Sequence, residues 1–360
     1  MERPLKIRLH ILSPVHIGCD NEYEPTGFVI DEKKNKLIAF DPLDFITSLS
    51  SEDKQRFTQI CMKGSVSSIL EIYKFIANKP IKGREIEIAA GFLSHYKKVM
   101  GLPINDEHKI QQELNKFAIS RTAYNPQTNM PYIPGSSLKG SLRTAYLNKL
   151  AKDKGIEGRR NAKDLENELL GGSFDSDPFR LVKPSDLLPV NDAGTKILYA
   201  VNKKKKISKF EARGPFQMLE TIKQGAIFEG IINADQSAGI KTPINTKELL
   251  KSINKFYIPM ITEENKMIKD IGGDYSIVSK INEQFKDKIG LSAFILRIGR
   301  HSGAEAVTIE GNREIKIMQG KGQPPKFLDH ATTIWLASET DKPDTDNELV
   351  PFGWVMMEIL

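Results

Sequence analysis

The sequence predicts an α+β chain. Three features lead there: period-two alternation at the start, a long helical stripe from residue 138, and later blocks in which helices and strands occupy separate stretches. Residues 4–12 set apolar Leu5, Ile7, Leu9 and Ile11 against Lys6, Arg8 and His10, the pattern of a half-buried strand. Leu138, Leu142, Ala145 and Leu150 then recur near one helical face. Helical stripes return at Leu249, Leu250 and Ile253 and at Ile277, Ile281 and Phe285, before strand-like runs at 332–337 and 350–360.

Composition narrows the class. The chain has 360 residues, room for two domains or one core with a large insertion. A formal charge of +6 and a pI near 9.0 favour a polyanionic partner. Cys19 and Cys61 form no CxxC motif, which argues for a reducing compartment and against a disulfide scaffold. No apolar run approaches a membrane span, so a cytoplasmic location with no membrane partner is expected.

The first strand ends in LSPVHIG (12–18), where Pro14 stops the ladder and Gly18 permits a sharp turn. Residues 28–30 and 37–40 flank the charged turn 31–36 as a hairpin. Asp41 and Pro42 open a helix as cap and first residue. Stripes at Ile69, Ile72, Tyr73 and Ile76, ended by Pro80, and at Ile110, Leu114 and Phe117 make 41–118 a mostly helical insertion. Such stripes are read as core.

The chain is organised around PYIPGSSLKGSLR (131–143). Two prolines set an extended entry, Ser136 or Ser137 is the expected N-cap, and the first turn offers free backbone N–H groups. Lys139 and Arg143 lie one turn apart and can reach one anion. Ordinary capping and solvated cations would give the same pattern. A Walker loop is excluded, because the lysine precedes the glycine.

Past this helix, 152–160 is expected to be a loop, and 197–201 a strand leading into Lys203, Lys204, Lys205 and Lys206. Four lysines can track a phosphate backbone or simply be solvated. Residues 217–232 look like a strand pair around Gly225. The last block, LSAFILRIGRHSG (291–303), delivers Arg300, His301 and Ser302 in a turn bracketed by Gly299 and Gly303. Gly320, Lys321 and Gly322 repeat the theme, and the acidic stretch 339–348 is expected to lie away from any nucleic acid.

YIPGSSLKGSLR resembles the signature helix of the RAMP proteins of CRISPR RNA-guided complexes, and LSPVHIG, DPFR (177–180) and LRIGRHSG follow that family's order. The resemblance spans nearly the whole chain. Length, helical insertion and the pairing of LRIGRHSG with WLAS and PFGWVMMEIL are most similar to the cap subunit of the type III-A (Csm) interference complex. It implies a ferredoxin-like (RRM-like) sheet starting at the first strand, an N-terminal domain over 1–235 with the insertion at about 41–118, and a C-terminal α+β domain over 236–360; the second half closes a ferredoxin-like sheet of its own, or the strands from Ala193 onward complete the first. It also implies a non-catalytic RNA-binding subunit that closes the backbone filament at the 3′ region of the CRISPR RNA and supports its maturation. Expected partners are that RNA, target RNA, the backbone and small Csm subunits, and host exoribonucleases such as polynucleotide phosphorylase. No cofactor, metal or catalytic residue is expected. The RNA-contacting residues would be Ser13, His16, Gly18, Gly135, Ser136, Ser137, Lys139, Gly140, Arg143, Arg180, Arg297, Gly299, Arg300 and His301.

Two enzyme alternatives stand beside this. Related backbone subunits cleave RNA with an aspartate after the first strand, and here Asp20, Glu22 and Glu24 could hold Mg²⁺. A metal-free ribonuclease would use His16 or His301 as acid or base. A metabolic enzyme with a phosphate-binding helix lacks any GxGxxG, Walker, HExxH or GxSxG pattern.

Overall fold

A computed structural model describes residues 4–24, 26–115, 117–158, 161–172, 176–208, 212, 214–234, 243–271, 273, 277–319, 322–343 and 349–360. The alternating first segment is β1 (Leu5–Ile11). Ile7, Leu9 and Ile11 are buried, while Arg8 and His10 point to the other face and meet Glu229 and Glu358.

In chain order the first half continues with β2 (Gly18–Tyr23), β3 (Phe28–Asp31), β4 (Lys36–Ala39), α1 (Pro42–Ser48), α2 (Ser51–Met62), α3 (Val66–Ala77), β5 (Arg84–Ile88), α4 (Phe92–Met100), α5 (Glu107–Asn115), β6 (Ile119–Thr122), α6 (Gly135–Asp153) and α7 (Ala162–Leu170). The second half holds β7 (Val182–Pro184), β8 (Leu188–Pro189), β9 (Thr195–Lys204), β10 (Gln217–Ile222), β11 (Ile227–Ala234), α8 (Thr246–Asp270), α9 (Ile277–Phe285), β12 (Ala293–Arg297), β13 (Ile315–Ile317), β14 (Lys326–Leu328), β15 (Thr333–Ser338), β16 (Val350–Pro351) and β17 (Trp354–Ile359).

Two sheets carry the chain. In the first, the order is β12–β17–β1–β11–β7, with β8 also on β11 and every pairing antiparallel. The second runs β2–β6–β10–β9–β5–β4–β3, with β15 on β9 and β16 on β15. Helices α6 and α8 lie side by side, and the Tyr257 hydroxyl donates to the Ser141 carbonyl. One continuous apolar core runs beneath both sheets. Phe45, Phe75 and Ile76 form a smaller core inside the insertion.

Several sequence expectations change here. The strands either side of Gly225 do not pair with each other: β10 joins β9 in the second sheet and β11 joins β1 in the first. Gly225, at φ +88°, turns the chain from one sheet to the other. Both sheets draw strands from either side of residue 235. β17 lies against β1, and β15 against β9, so the C-terminal strands complete sheets begun earlier. Within that block, β12 also pairs with β17, β15 with β16 and β13 with β14. Asp41 and Pro42 open α1 as expected, with the Asp41 carboxylate accepting from the Leu43 and Asp44 amides. The insertion also contains strand β5, which pairs with β4 and β9.

Candidate nucleic-acid interface

Helix α6 starts at Gly135, two residues earlier than a Ser136 cap would give, and Pro134 occupies the cap position without a side-chain hydrogen bond. The serine caps are therefore corrected. The Gly135 amide instead donates to the Asp186 carboxylate at 2.8 Å, so a carboxylate from the segment after β7 already occupies the positive end of the helix. Gly135 is there for fit: a Cβ on it would lie 2.2 Å from the Pro184 carbonyl oxygen.

Gly140 has the opposite character. A Cβ there would meet nothing within 4 Å, so no packing demand explains a glycine inside this helix. Exposed Ser136 shares this side of the helix, with partly buried Lys139 next to it. Burial depresses the Lys139 pKa, and the Arg143 and Lys183 charges push the same way. Lys183 on β7 is exposed, and neither lysine has a hydrogen-bond or ion-pair partner among the described residues. Lys183 was not among the expected contacts. Its signal was position alone, three residues beyond Arg180 in the DPFR segment.

Arg143 is not a free cation. Its guanidinium bridges Glu166 at 2.6 Å and Asp177 at 2.7 Å, and lies over the Phe179 ring. Both carboxylates stabilise its charged form. Arg180 is exposed on the short turn of helix after Asp177. Arg297 is withdrawn from the contact set. It is 4% exposed, ion-paired with Glu264 and stacked on Trp354, and its Nε donates to the Phe352 carbonyl. Buried Ser13 is also structural, its hydroxyl accepting from the Trp354 amide.

His16 and His301, 285 positions apart in sequence, come close enough for His301 to feel the His16 charge. His16 is wholly buried, its Nδ1–H donating to the Glu220 carbonyl at 2.8 Å, so the neutral ring leaves Nε2 as a lone pair without a partner. Burial lowers its pKa. His301 is pushed down to about 4 by burial and by the Arg300 charge. It rests against Trp335 and Phe352 and meets the Gln217 side chain at 3.2 Å. The turn that carries it is pinned by Gly299, at φ +81°, where a Cβ would lie 2.5 Å from the His16 carbonyl. The Arg300 amide donates to that same carbonyl at 2.8 Å, and the Arg300 side chain is exposed.

Arg300 faces a cleft of about 1210 Å³, absent from the sequence expectation. Its walls come from α4, α5, β6 and the start of β10. Lys98, Arg300 and Lys342 are balanced there by Glu22, Glu113 and Asp341. Gly18 is exposed at the start of β2, opposite Thr122. Asp20, Glu22 and Glu24 are exposed, and among the described residues no group of three or more His, Cys, Asp or Glu side chains is placed to hold a metal ion. Of the four lysines after 202, Lys205 pairs with Glu305 and Lys204 with the Ser208 hydroxyl. Gly320, Lys321 and 344–348 of the acidic stretch lie outside the described residues. No described helix is long and apolar enough to cross a membrane.

Comparison with known proteins agrees with these motifs. The chain is 25% identical over 197 residues to the CRISPR system Cms protein Csm5 of Methanocaldococcus jannaschii, a match covering 51% of this chain and 43% of that relative. Among solved structures it resembles a chain of a Csm–crRNA–target RNA ternary complex of a type III-A CRISPR-Cas system (TM-score 0.62, 18% identity, 99% of this chain and 100% of that one). It also resembles T. onnurineus Csm5 (TM-score 0.56, 16% identity, 98% and 100%). A model of the RAMP superfamily matches residues 8–300, which take in part of the first strand, the GSSLKG helix and the start of the Gly299 turn, and the chain belongs to that superfamily.

Proposed function

We propose that this chain is the non-catalytic RNA-binding cap subunit of a type III-A Csm complex, holding the 3′ region of the CRISPR RNA. The observation that carries the RNA contact is the side of α6 around Gly140, a glycine in open space flanked by Lys139 and, from β7, Lys183. A missing side chain there admits a phosphate backbone close to the helix, and beside it lie two cations with no ion-pair partner among the described residues. Contacts of this kind position RNA without reading its sequence, which suits a subunit that must accept every guide. Likeness to Csm5 proteins supports target RNA and the backbone and small subunits as further partners. Support of 3′ maturation through host exoribonucleases joins the proposal on the family resemblance alone.

Strand order supports a ferredoxin-like reading of the first sheet. β17–β1–β11–β7 is antiparallel throughout, with α6 following β1 and α8 following β11. A ribonuclease reading has one observation in its favour, the approach of His16 to His301. Against it, burial holds both rings neutral near pH 7 and encloses His16 completely, whereas a general acid must carry a proton and reach its substrate.

Filter binding of single-stranded RNA across a salt series tests the proposal. Lys139→Ala with Lys183→Ala should weaken binding and reduce the slope of log affinity against log salt by about one to two units. The RNA should be recovered intact with or without Mg²⁺. Unchanged affinity and slope would remove the α6 contact. A cut lost in His301→Ala would replace the non-catalytic reading with the metal-free nuclease.

A further inference from the structure

Arg121, on β6, was not singled out by the sequence. Its guanidinium lies 3.5 Å from the ring centroid of Tyr124 and 4.7 Å from that of Tyr23, so its charge packs over both tyrosine rings. Its Nε is buried without a hydrogen-bond partner, and among the described residues no carboxylate pairs with the group. The two tyrosines differ. Tyr23 is buried, and its hydroxyl donates to Glu220, which also accepts from Arg84 and Thr195. Tyr124 is half-buried, and among the described residues no other ring faces it and its hydroxyl has no partner. The stack is therefore anchored at Tyr23 and ends, among the described residues, at Tyr124 with no further ring beyond it.

Its position follows from the strand register. Exposed Gly18 faces Thr122, the residue after Arg121, and the Cys19 thiol donates to the Arg121 carbonyl. Tyr124 bridges to Pro131 across the turn 125–130, and four residues beyond Pro131 the chain enters α6. Four residues span at most about 14 Å when extended, so the Tyr124–Pro131 bridge lies near the start of α6, the helix whose side around Gly140 is proposed above to meet the guide.

We propose that Tyr23, Arg121 and Tyr124 form a base-stacking platform for single-stranded RNA, with one nucleobase lying on the free face of Tyr124. This inference rests on the RNA-binding reading and extends it from phosphate contacts to a base. An aromatic face stacks any base, so the platform needs no sequence. Arg121 supports the Tyr124 ring and adds a positive charge that forms no ion pair among the described residues, which favours an electron-rich, anionic ligand.

The test uses the full chain and single-stranded RNA carrying one 2-aminopurine, moved through successive positions. Stacking on Tyr124 quenches the fluorophore at one position. Tyr124→Ala should abolish that quench and weaken binding by about fivefold to a hundredfold while leaving the salt slope unchanged, since no phosphate contact is lost. Tyr124→Phe should keep both, because the ring is what acts. Wild-type affinity and quenching in a folded Tyr124→Ala protein would overturn the platform and leave the α6 contact standing. Loss of binding in Tyr124→Phe would assign the effect to the hydroxyl and overturn stacking. Failure of the wild-type chain to bind RNA at any salt concentration would overturn both proposals together.

Discussion

Gly140 and His301 show how much a single residue can separate function from folding. A glycine inside an exposed helix costs about 0.5–1 kcal/mol relative to alanine. Because a Cβ at 140 meets nothing, Gly140→Ala should raise stability by about that amount in urea unfolding. If RNA crosses the helix at this point, the same variant should bind RNA more weakly. A variant that is more stable and binds equally well would show the glycine to be incidental. His301 bears on pH. Its folded pKa, about 4, lies below the ordinary 6.5, so the unfolded chain takes up a proton first as pH falls. Stability present above pH 6.5 is then lost progressively towards pH 4, with His16 acting in the same direction. The melting temperature of His301→Gln should accordingly fall less than that of the parent between pH 7 and pH 5.

At the scale of an element, α6 is a helix fitted against a neighbouring backbone and capped by a distant carboxylate. Gly135 sits where a Cβ would run into the Pro184 and Ser185 carbonyls at 2.2 and 2.8 Å. Gly135→Ala must push the helix start away from β7 and break the Asp186 contact, and should cost at least about 2–3 kcal/mol. Chemical denaturation of the variant measures this directly. A change under about 0.5 kcal/mol would mean that the junction yields easily. The anion site expected at the helix tip is therefore filled from within the chain, and the free surface of α6 is its side.

For the molecule as a whole, α8 is tied to the final strands by a buried polar knot. Glu264 accepts from Arg297 on β12 and, at 2.7 Å, from the Trp354 indole on β17, and Arg297 stacks on that indole. Glu264→Ala would strand a buried guanidinium and should cost about 3–5 kcal/mol. Equilibrium unfolding reads the loss. A small, salt-sensitive change would show that water reaches the pair. A second knot centres on Glu220, where Arg84 from the insertion, Thr195 and Tyr23 converge and couple the insertion to the second sheet.

The sequence by itself determined the elements whose cause is local. Period-two burial in β1, the Asp41–Pro42 start of α1 and the α8 and α9 stripes depend on neighbours within a turn or a strand, so their residues announce them. It also marked Gly299 and Gly303, both at positive φ, and the GSSLKG helix as the distinctive stretches. What only tertiary structure decided depends on residues hundreds of positions away. Whether an arginine is free or consumed is one such matter: Arg297 and Arg143 looked like Arg300 in sequence, yet Glu264, Glu166 and Asp177 neutralise the first two. The pairing of β17 with β1, the approach of His16 to His301 and the stack on Arg121 are others. A charge's availability and a strand's partner are set by what packs against them, and no local spacing encodes that.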